Sequence, residues 1–412
     1  MNQNHTGRNI LIAFIAIFLL AGSFSGGILV GWLIPNQVET QALLPATPDV
    51  QATEEPASDL TTLFEPFWES WQYIHEQYVE QPVDDTLLMQ GAISGMLDSL
   101  GDPHTAYMTP EEYIEASTPL DGSYEGIGAY VDTGGDFLTI ISAMPGSPAE
   151  RAGLKTDDAV IKVDGRDVTG IDPSVVLKSV KGPAGTSVTL TIQRPDVAEP
   201  FEVTITREKI ELQSVTSEII EGDIAYIAIS TFGETTTAEL RKALETLMDQ
   251  NPKGLILDLR YNSGGYLITA IEVVSEFIPE GVVMYEEQGN GEELTYTAQP
   301  GGLATEIPMV VLVNEGSASA SEITAGAIQD YERGILIGVT TYGKGSVQNW
   351  IPLENDQGAV RITIARWLTP NRRQINQVGL TPDVVVEFTQ DDIDNGIDPQ
   401  LNKAIEILHQ SD

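Results

Sequence analysis

Short, unbroken apolar runs recur through the C-terminal half of the chain. The clearest is Met309–Val313, and comparable runs lie at 224–229, 254–260 and 335–339. Runs of this length that are rich in β-branched residues predict strands buried on both faces of a sheet. Residues with helical spacing fill the intervals, at 235–250, at 267–277 and from about residue 320. The alternation predicts a layered α/β domain with a parallel core, which we expect to span residues 208–390.

The N-terminal end carries a much longer apolar stretch. Residues 10–34 contain no charged side chain, and at about 1.5 Å per residue a helix over them crosses a hydrocarbon core roughly 30 Å thick. Arg8 precedes the stretch and the next basic residue is Arg151, which predicts an N-terminus inside the cell and an extracytoplasmic remainder. We therefore expect a single-pass signal anchor in the cell membrane over residues 1–35, with a cleavable signal peptide as the alternative. Prolines and acidic residues at 36–58 predict an extended linker.

Residues 59–117 are expected to form a helical N-terminal region. A second helix near 86–100 ends at a Gly-Asp-Pro sequence, and the first presents a broad face of large apolar side chains. This face consists of Leu63, Phe64, Phe67, Trp68, Trp71, Ile74 and Tyr78. A surface of this size is expected to pack on another domain or another subunit, so homodimerisation through it is a hypothesis.

Between residues 118 and 207 the pattern changes to short strands, turns and two short helices. Gly126, Ile127 and Gly128 form a glycine-flanked turn that enters a strand at 129–131. The order of elements in this segment resembles a PDZ domain. The resemblance implies that backbone N–H groups of this turn hold the terminal carboxylate of a peptide, which adds as a strand beside 129–131. An ordinary glycine turn is the alternative.

The composition argues against several classes of function. The 412 residues include no cysteine, which removes a cysteine nucleophile, a disulfide framework and a thiolate zinc site. The histidines are 4 in number, scattered, and without an H-E-x-x-H pattern, so we expect no metal site. The formal net charge of −40 argues against nucleic acid as a partner, because phosphate contacts need Lys and Arg.

Small residues, three of them serines, follow the strand at 309–313 and precede a helical pattern. A helix N-terminus after a tight loop exposes a hydroxyl where backbone N–H groups point outward, although a helix-capping turn explains the serines equally well. Adjacent parallel strands place their C-terminal loops together, so the loops 262–265, 316–320 and 341–348 are expected to converge. They offer a serine, a Gly-Gly pair and Lys344 between two glycines, which are the parts of an acyl-transfer site.

A lysine acts as a general base only when it is neutral, so its pKa must fall from about 10.4 through burial. A turn lysine that points into solvent is the alternative interpretation of Lys344. His104, in a Pro-containing loop, is another candidate base because an unperturbed histidine titrates near neutrality, although a structural histidine is the commoner case. A Ser–His hydrolase is disfavoured because the chain has no G-x-S-x-G sequence.

As a set, these motifs resemble the carboxy-terminal processing proteases, which are tail-specific Ser–Lys peptidases with an inserted PDZ domain. The resemblance extends from about residue 60 to the end of the chain. It rests on Gly-Asp-Pro-His-Thr at 101–105, the PDZ segment, Leu-Arg-Tyr-Asn-Ser-Gly-Gly at 259–265, Ser317–Glu322, Tyr-Gly-Lys-Gly at 342–345, Gln348, and Gly-Leu-Thr-Pro-Asp at 379–383.

By position, the resemblance implies that Ser319 is the nucleophile and Lys344 the general base. It implies that Gln348 orients the lysine and hydrogen-bonds to it. Glu322 and Asp330 also match family positions, and we interpret both as structural supports on the helix.

The resemblance also implies an oxyanion hole that combines the N–H of Ala320 with that of Gly265 or Gly264. Two departures from the family pattern lie in the same loop, at Ser263 and Tyr261. Both change loop rigidity without removing a backbone donor, so they leave open which glycine completes the hole.

The implied protein is a mixed α+β serine endopeptidase that cleaves proteins near their C-termini and needs no cofactor. Its PDZ domain captures a free, apolar C-terminus, and Lys181 is the nearest candidate for a gating residue. Residues 391–412 are expected to form a C-terminal helix that packs on the core or on a partner. The alternative is a non-catalytic, membrane-tethered PDZ protein that binds peptides. That alternative predicts a lost nucleophile or base, whereas both are present.

Overall fold

The computed structural model describes residues 60–410. The chain divides into two compact units, Met1–Asp84 and Asp85–Asp412. The anchor predicted at 1–35 and the linker predicted at 36–58 lie outside the described residues. Within the part that is described, no helix is long and apolar enough to cross a membrane.

The described part of the first unit is built on helix α1, Leu60–Gln77, where helical spacing was predicted. Its aromatic side chains pack against one another, with the ring centroids of Phe67 and Trp68 5.0 Å apart. No residue of α1 is buried, and Trp68 is 60% exposed. The partner that was expected to cover this face remains a prediction.

The second unit begins with helix α2, Asp85–Asp98, strand β1, Ala106–Met108, and helix α3, Pro110–Asp121. The sequence predicted only helices in this region. Strand β1 was missed because its three residues are too few to show a hydrophobic period.

A small β domain follows. Its elements are β2 Ser123–Gly126, β3 Ala129–Asp132, β4 Leu138–Ala143, α4 Pro148–Arg151, β5 Ala159–Val163, β6 Arg166–Asp167, α5 Pro173–Val180, β7 Ser187–Gln193, β8 Phe201–Thr206 and β9 Glu208–Glu211. Strands β3-β4-β5-β7-β8 form an antiparallel sheet, with β6 paired to β5. Leu138, Val188 and Leu190 belong to its separate hydrophobic core. Strand β2 pairs with β9, so the chain enters and leaves this domain through a two-stranded ribbon.

The remainder of the chain is the largest domain. Its elements are β10 Val215–Ile220, β11 Ile224–Ile229, α6 Thr236–Met248, β12 Gly254–Asp258, α7 Leu267–Ser275, β13 Val282–Gln288, β14 Glu293–Thr297, β15 Met309–Val313, α8 Ala320–Asp330, β16 Ile335–Gly338, β17 Ser346–Pro352, β18 Ala359–Leu368, β19 Val384–Val385, α9 Gln390–Asn395 and α10 Pro399–Gln410.

The central sheet has the order β10-β11-β12-β15-β16-β19 and is parallel except at β10. Every residue of β12 and β15 is buried, as the apolar runs predicted. Helices α6, α7 and α8 share one core with the sheet, through Leu240, Ile271 and Ile323. On the other face α10 packs through Ala404 and Leu408. The parallel, layered core inferred from the sequence is therefore confirmed.

A second sheet, with the order β1-β18-β13-β14 and with β17 paired to β18, was not predicted. Strand β17, which contains residues 347–350, pairs antiparallel with β18. The sequence pattern did not predict this sheet, because its strands mix charged and apolar residues, as in Tyr-Glu-Glu-Gln at 285–288.

Candidate active site

The loops that follow β12, β15 and β16 meet at the carboxyl ends of these neighbouring parallel strands. The Ala318 N–H donates to the Asn262 carbonyl (3.0 Å), which joins the first loop to the second. The Tyr342 N–H donates to the Ser317 carbonyl (3.0 Å), which joins the second to the third. The predicted convergence of the three loops is therefore confirmed.

Ser319 stands at the start of α8 with a strained backbone, φ 54° and ψ −114°. Its side chain is half-buried. The two flanking serines are buried, and their hydroxyls are engaged: Ser317 donates to the Leu259 carbonyl (2.7 Å) and Ser321 to the Asn262 carbonyl (2.8 Å). Of the three serines, Ser319 is the one whose side chain a substrate can reach.

The buried carboxylate of Glu322 ties the serine loop to the lysine loop. It accepts hydrogen bonds from the N–H groups of Ser319 (2.9 Å), Lys344 (2.9 Å) and Gly343 (2.7 Å), and from the Thr341 hydroxyl (2.5 Å). Burial raises the pKa of Glu322 above its ordinary value, although these four bonds oppose the rise. One carboxylate thus holds the backbones of Ser319 and Lys344 together.

Lys344 is half-buried rather than fully exposed, and the Trp367 indole N–H donates to its carbonyl (3.0 Å). Burial lowers the pKa of the Lys344 ammonium, the charge of Arg361 lowers it further, and Glu322 opposes the change. A lowered pKa increases the neutral fraction of the amine, which is the form that can accept a proton.

His104 lies in the neighbourhood of the lysine. The backbone carbonyl of His104 accepts a hydrogen bond from Arg361 Nε (2.8 Å), and the backbone N–H of His104 donates to the Asp102 carboxylate (3.1 Å). Burial lowers the pKa of His104, the charge of Lys344 lowers it further, and Asp102 opposes both. Among residues 60–410, no hydrogen bond joins His104 to Ser319.

Gln348 lies on β17 opposite Thr363 of β18. Its side-chain nitrogen donates to the hydroxyls of Ser346 (2.8 Å) and Thr363 (3.1 Å). The expected bond to Lys344 is not among the hydrogen bonds of the described residues, so the orienting role of Gln348 stays a prediction.

The two candidate oxyanion glycines differ in what their N–H groups do. The Gly264 N–H donates to the Asn262 side-chain oxygen (2.9 Å), whereas no hydrogen bond of residues 60–410 uses the Gly265 N–H. Gly264 (φ 104°) also packs so closely that a Cβ there would lie 2.8 Å from the Ser319 Cβ and 2.9 Å from the Ala320 nitrogen. Of the two glycines, Gly265 is therefore the one whose N–H has no hydrogen bond within the described residues.

Two supports of the site, Asn262 and Thr341, were not singled out from the sequence. Asn262 is fully buried; its carbonyl accepts the Ala318 N–H (3.0 Å), and its side-chain nitrogen donates to the Ile229 carbonyl at the end of β11 (2.7 Å). Thr341 also donates from its backbone to the Leu380 carbonyl (3.2 Å). The bond from the Ser319 N–H to Glu322 has a sequence signal, since a serine followed three residues later by glutamate is a capping-box pattern.

Asp330 was interpreted as a structural support, and its contacts agree. Its carboxylate forms an ion pair with Arg373 (2.5 Å) and accepts the Asn371 N–H (2.7 Å). Both contacts lie at the far end of α8 from Ser319.

The small β domain contains an apolar groove between β3 and α5, with a cavity of about 260 Å³. Its lining includes Tyr124, Ile127, Ala129, Val131, Leu177 and Lys181. The glycine turn predicted to hold a carboxylate runs directly into β3. Its Gly128 (φ 74°) lies so close to α4 that a Cβ would come within 2.5 Å of the Ser147 Cβ.

Comparison with known families gives three matches along the chain. The model of peptidase family S41 matches residues 223–386, and the PDZ domain model matches residues 139–194. The model described as the activating protease CtpB N-terminal domain matches residues 25–112.

Individual relatives of the chain agree with the matches to the family models. The carboxy-terminal-processing protease of Bartonella bacilliformis is 38% identical over 343 residues, which are 82% of this chain and 78% of the relative. Carboxy-terminal processing protease CtpA of Bacillus subtilis is 38% identical over 337 residues, 81% of this chain and 71% of the relative. A solved structure, the putative S41 protease from Bacteroides fragilis, has a TM-score of 0.52 at 18% identity and covers 83% of this chain and 97% of that chain. This chain therefore belongs to the carboxy-terminal processing proteases of peptidase family S41.

Proposed function

We propose that this chain is an endopeptidase that cleaves proteins near their C-termini, with Ser319 as nucleophile and Lys344 as general base. The observation that carries the proposal is the Glu322 carboxylate, which accepts bonds from both Ser319 and Lys344. A strained, accessible serine beside a half-buried lysine is the arrangement that Ser–Lys chemistry needs.

The reaction follows from these positions. Neutral Lys344 accepts the Ser319 proton as the hydroxyl attacks the peptide carbonyl, and the N–H groups of Ala320 and Gly265 hold the oxyanion. The resulting lysinium protonates the leaving amine. Water, activated by the same lysine, then releases the acyl group. We propose that Gln348 orients the lysine, and no step calls on a metal or cofactor.

Substrate capture belongs to the PDZ domain. The turn formed by Gly126, Ile127 and Gly128 holds the terminal carboxylate, and the apolar groove takes the side chains that precede it. Support comes from the apolar lining of the cavity between β3 and α5. The substrates are proteins with free, apolar C-termini.

The direct test replaces Ser319 with alanine in the full chain. We expect cleavage of an unfolded protein with an apolar C-terminus to fall by about four orders of magnitude or more, while binding of that protein is retained. A substrate with the same sequence but an amidated C-terminus is the matched control for capture. Cleavage that persists in Ser319→Ala at more than a tenth of the parent rate rejects the assignment.

The pH dependence of the rate should follow the protonation state of Lys344. Because the base must be neutral, kcat/KM rises with pH through the lowered pKa of Lys344. The charged or titratable groups around it are Arg361, Glu322 and His104. Arg361→Gln removes a positive charge, so the rising limb should move to higher pH. Activity at neutral pH then falls about tenfold for each pH unit of movement and recovers at higher pH.

A matched control for this variant lies on the same strand. Arg366 is the exposed arginine on β18, so Arg366→Gln should leave the profile in place. A loss of activity in Arg361→Gln that is equal at every pH contradicts the electrostatic explanation and indicates a structural defect.

We further propose the organisation expected from the sequence: a signal anchor at 1–35, a linker at 36–58, a helical region at 59–117, the PDZ domain at 118–207 and the protease core at 208–390, followed by a C-terminal helical segment at 391–412. The anchor places the catalytic part outside the cytoplasm. Membrane fractionation with protease accessibility of intact cells tests this, and a purely cytoplasmic product contradicts it.

A homodimer formed through the apolar face of α1 is also proposed. The rings on that face are exposed, with Trp68 at 60% and Phe64 at 43%. Light scattering of the full chain in detergent should give the mass of two chains, and Trp68→Glu should give that of one. A monomer at all concentrations rejects the dimer.

A further inference from the structure

The N–H groups that should receive a peptide's carboxylate can be located from the strand register. The Met144 N–H donates to the Gly128 carbonyl (3.0 Å), so residues 128 and 144 face each other just beyond the ends of β3 and β4 and are joined by a hydrogen bond. Ala129 faces Ala143 as the next pair. In an antiparallel ladder this next pair is not hydrogen-bonded, and its N–H groups point away from the partner strand. The Ala129 N–H therefore points into the groove.

Tyr124 occupies this end of the groove. It is a half-buried residue of β2 and lines the cavity together with Ala129 and Lys181. Its ring lies against Gly126, where a Cβ would come within 2.8 Å of a ring carbon. The Lys181 ammonium is 5.7 Å from the centroid of the same ring. The phenol thus stands between the glycine turn and the nearest cation of the groove.

The phenol of Tyr124 lies beside the glycine turn, with its ring against Gly126 and in one cavity lining with Ala129. Burial raises the pKa of this phenol, and hydrogen bonding from the backbone of Ala129 and Gly128 opposes the rise. A neutral oxygen acceptor therefore sits where the terminal carboxylate of a captured peptide would have to bind.

We propose that Tyr124 is an internal stand-in for the peptide carboxylate, which closes the carboxylate-binding end of the PDZ groove until a chain terminus displaces it. The inference rests on the proposed capture of C-termini and adds a regulatory element to that same site. A phenol is a weaker acceptor than a carboxylate, because hydrogen bonds to ionised groups are about twice as strong as neutral ones. A free C-terminus can therefore displace it, with Lys181 as a counter-charge.

Closure of the groove by Tyr124 should weaken its apparent affinity for free C-termini. When only a fraction of molecules has the end of the groove open, the apparent dissociation constant rises by the inverse of that fraction. A peptide that lies along β3 without entering the turn does not have to move Tyr124. Closure therefore weakens the binding of free C-termini and leaves the binding of blocked termini unchanged.

The test uses the full chain in detergent micelles with Ser319→Ala, so that bound peptide is not cleaved. Fluorescence anisotropy measures the affinity of a labelled, unstructured decapeptide with an apolar C-terminal residue, and of the same peptide amidated. Adding Tyr124→Phe removes the hydroxyl and keeps the ring. We expect it to bind the free-carboxylate peptide about threefold to tenfold more tightly, and the amidated peptide no more tightly.

Tyr331→Phe is the matched control, since it removes the hydroxyl of a partly exposed phenol outside the small β domain, and it should change neither affinity. Unchanged or weaker binding of the free-carboxylate peptide by Tyr124→Phe overturns the inference, and so does an equal gain for both peptides. If the parent chain does not prefer the free carboxylate over the amide, the proposed capture fails as well. The two failures are thus distinguishable.

Discussion

Replacing Lys344 with methionine should abolish proteolysis and leave the fold intact. Methionine fills the half-buried site but cannot accept a proton, so the expected loss in kcat is about four orders of magnitude or more. The free energy of unfolding should not fall, because the variant removes a charge from a site where burial already disfavours it. Gel-based cleavage kinetics and thermal unfolding measure the two properties in parallel.

Lys344→Arg separates a basic role from a purely electrostatic one. Arginine keeps the positive charge but is not deprotonated at any pH that the protein tolerates, so it should be as inactive as methionine. If Lys344→Arg retains more than a tenth of the parent kcat, the lysine contributes its positive charge and does not act as the proton acceptor. That result would require another base, and His104 is the nearest candidate.

Glu322→Gln should cost about a hundredfold or more in kcat with little change in KM. Each carboxylate oxygen now receives two hydrogen bonds, one oxygen from Ser319 and Lys344 and the other from Thr341 and Gly343. An amide nitrogen in either place faces two donors, and each donor left unsatisfied costs about 1–3 kcal/mol. The loops then separate, and a displacement of about 1 Å between reacting groups is enough for such a loss.

Glu315→Gln is the matched control, because Glu315 is an exposed acid in the loop that precedes α8. Steady-state kinetics should show no change for this control. For Glu322→Gln we also expect a lower melting temperature. A loss that appears in KM alone contradicts a positioning role for Glu322.

The architecture was predictable where an unbroken apolar run in the sequence forms a strand that is buried along its whole length. Strand β15 is apolar at every position and buried at every position, so its place in the sheet followed from the sequence. The three loops converge because β12, β15 and β16 are adjacent and parallel. The second sheet was not predictable, since Glu286 of β13 is a buried acid whose partner, Tyr296, only the folded chain reveals (2.9 Å).

The candidate site was predictable as a set of loops and less so as a set of contacts. Ser317, Ser319 and Ser321 are equivalent by composition, and only folding separates the two buried, hydrogen-bonded serines from the accessible one. The hydrogen bond from the Lys344 N–H to Glu322 joins residues 22 positions apart, and a contact over that separation produces no periodic pattern in the sequence. The choice between Gly264 and Gly265 likewise depends on Asn262, whose side chain engages the first of them.

The orientation of Tyr124 was beyond sequence reasoning for the same reason. Its ring meets Gly126 two residues away and shares a cavity lining with Ala129 of the following strand. No pattern of polar and apolar residues encodes the direction of a side chain out of a four-residue strand.

Covalent labelling tests whether Lys344 makes Ser319 a nucleophile. The full chain is treated with a phosphonate that reacts with activated serines, and the modified residue is mapped by mass spectrometry in the parent and in Lys344→Met. We expect a single label on Ser319 in the parent and a rate of labelling at least a hundredfold lower in Lys344→Met. A label on another residue, or equal labelling of Ser319 in both proteins, would rule out activation of Ser319 by Lys344.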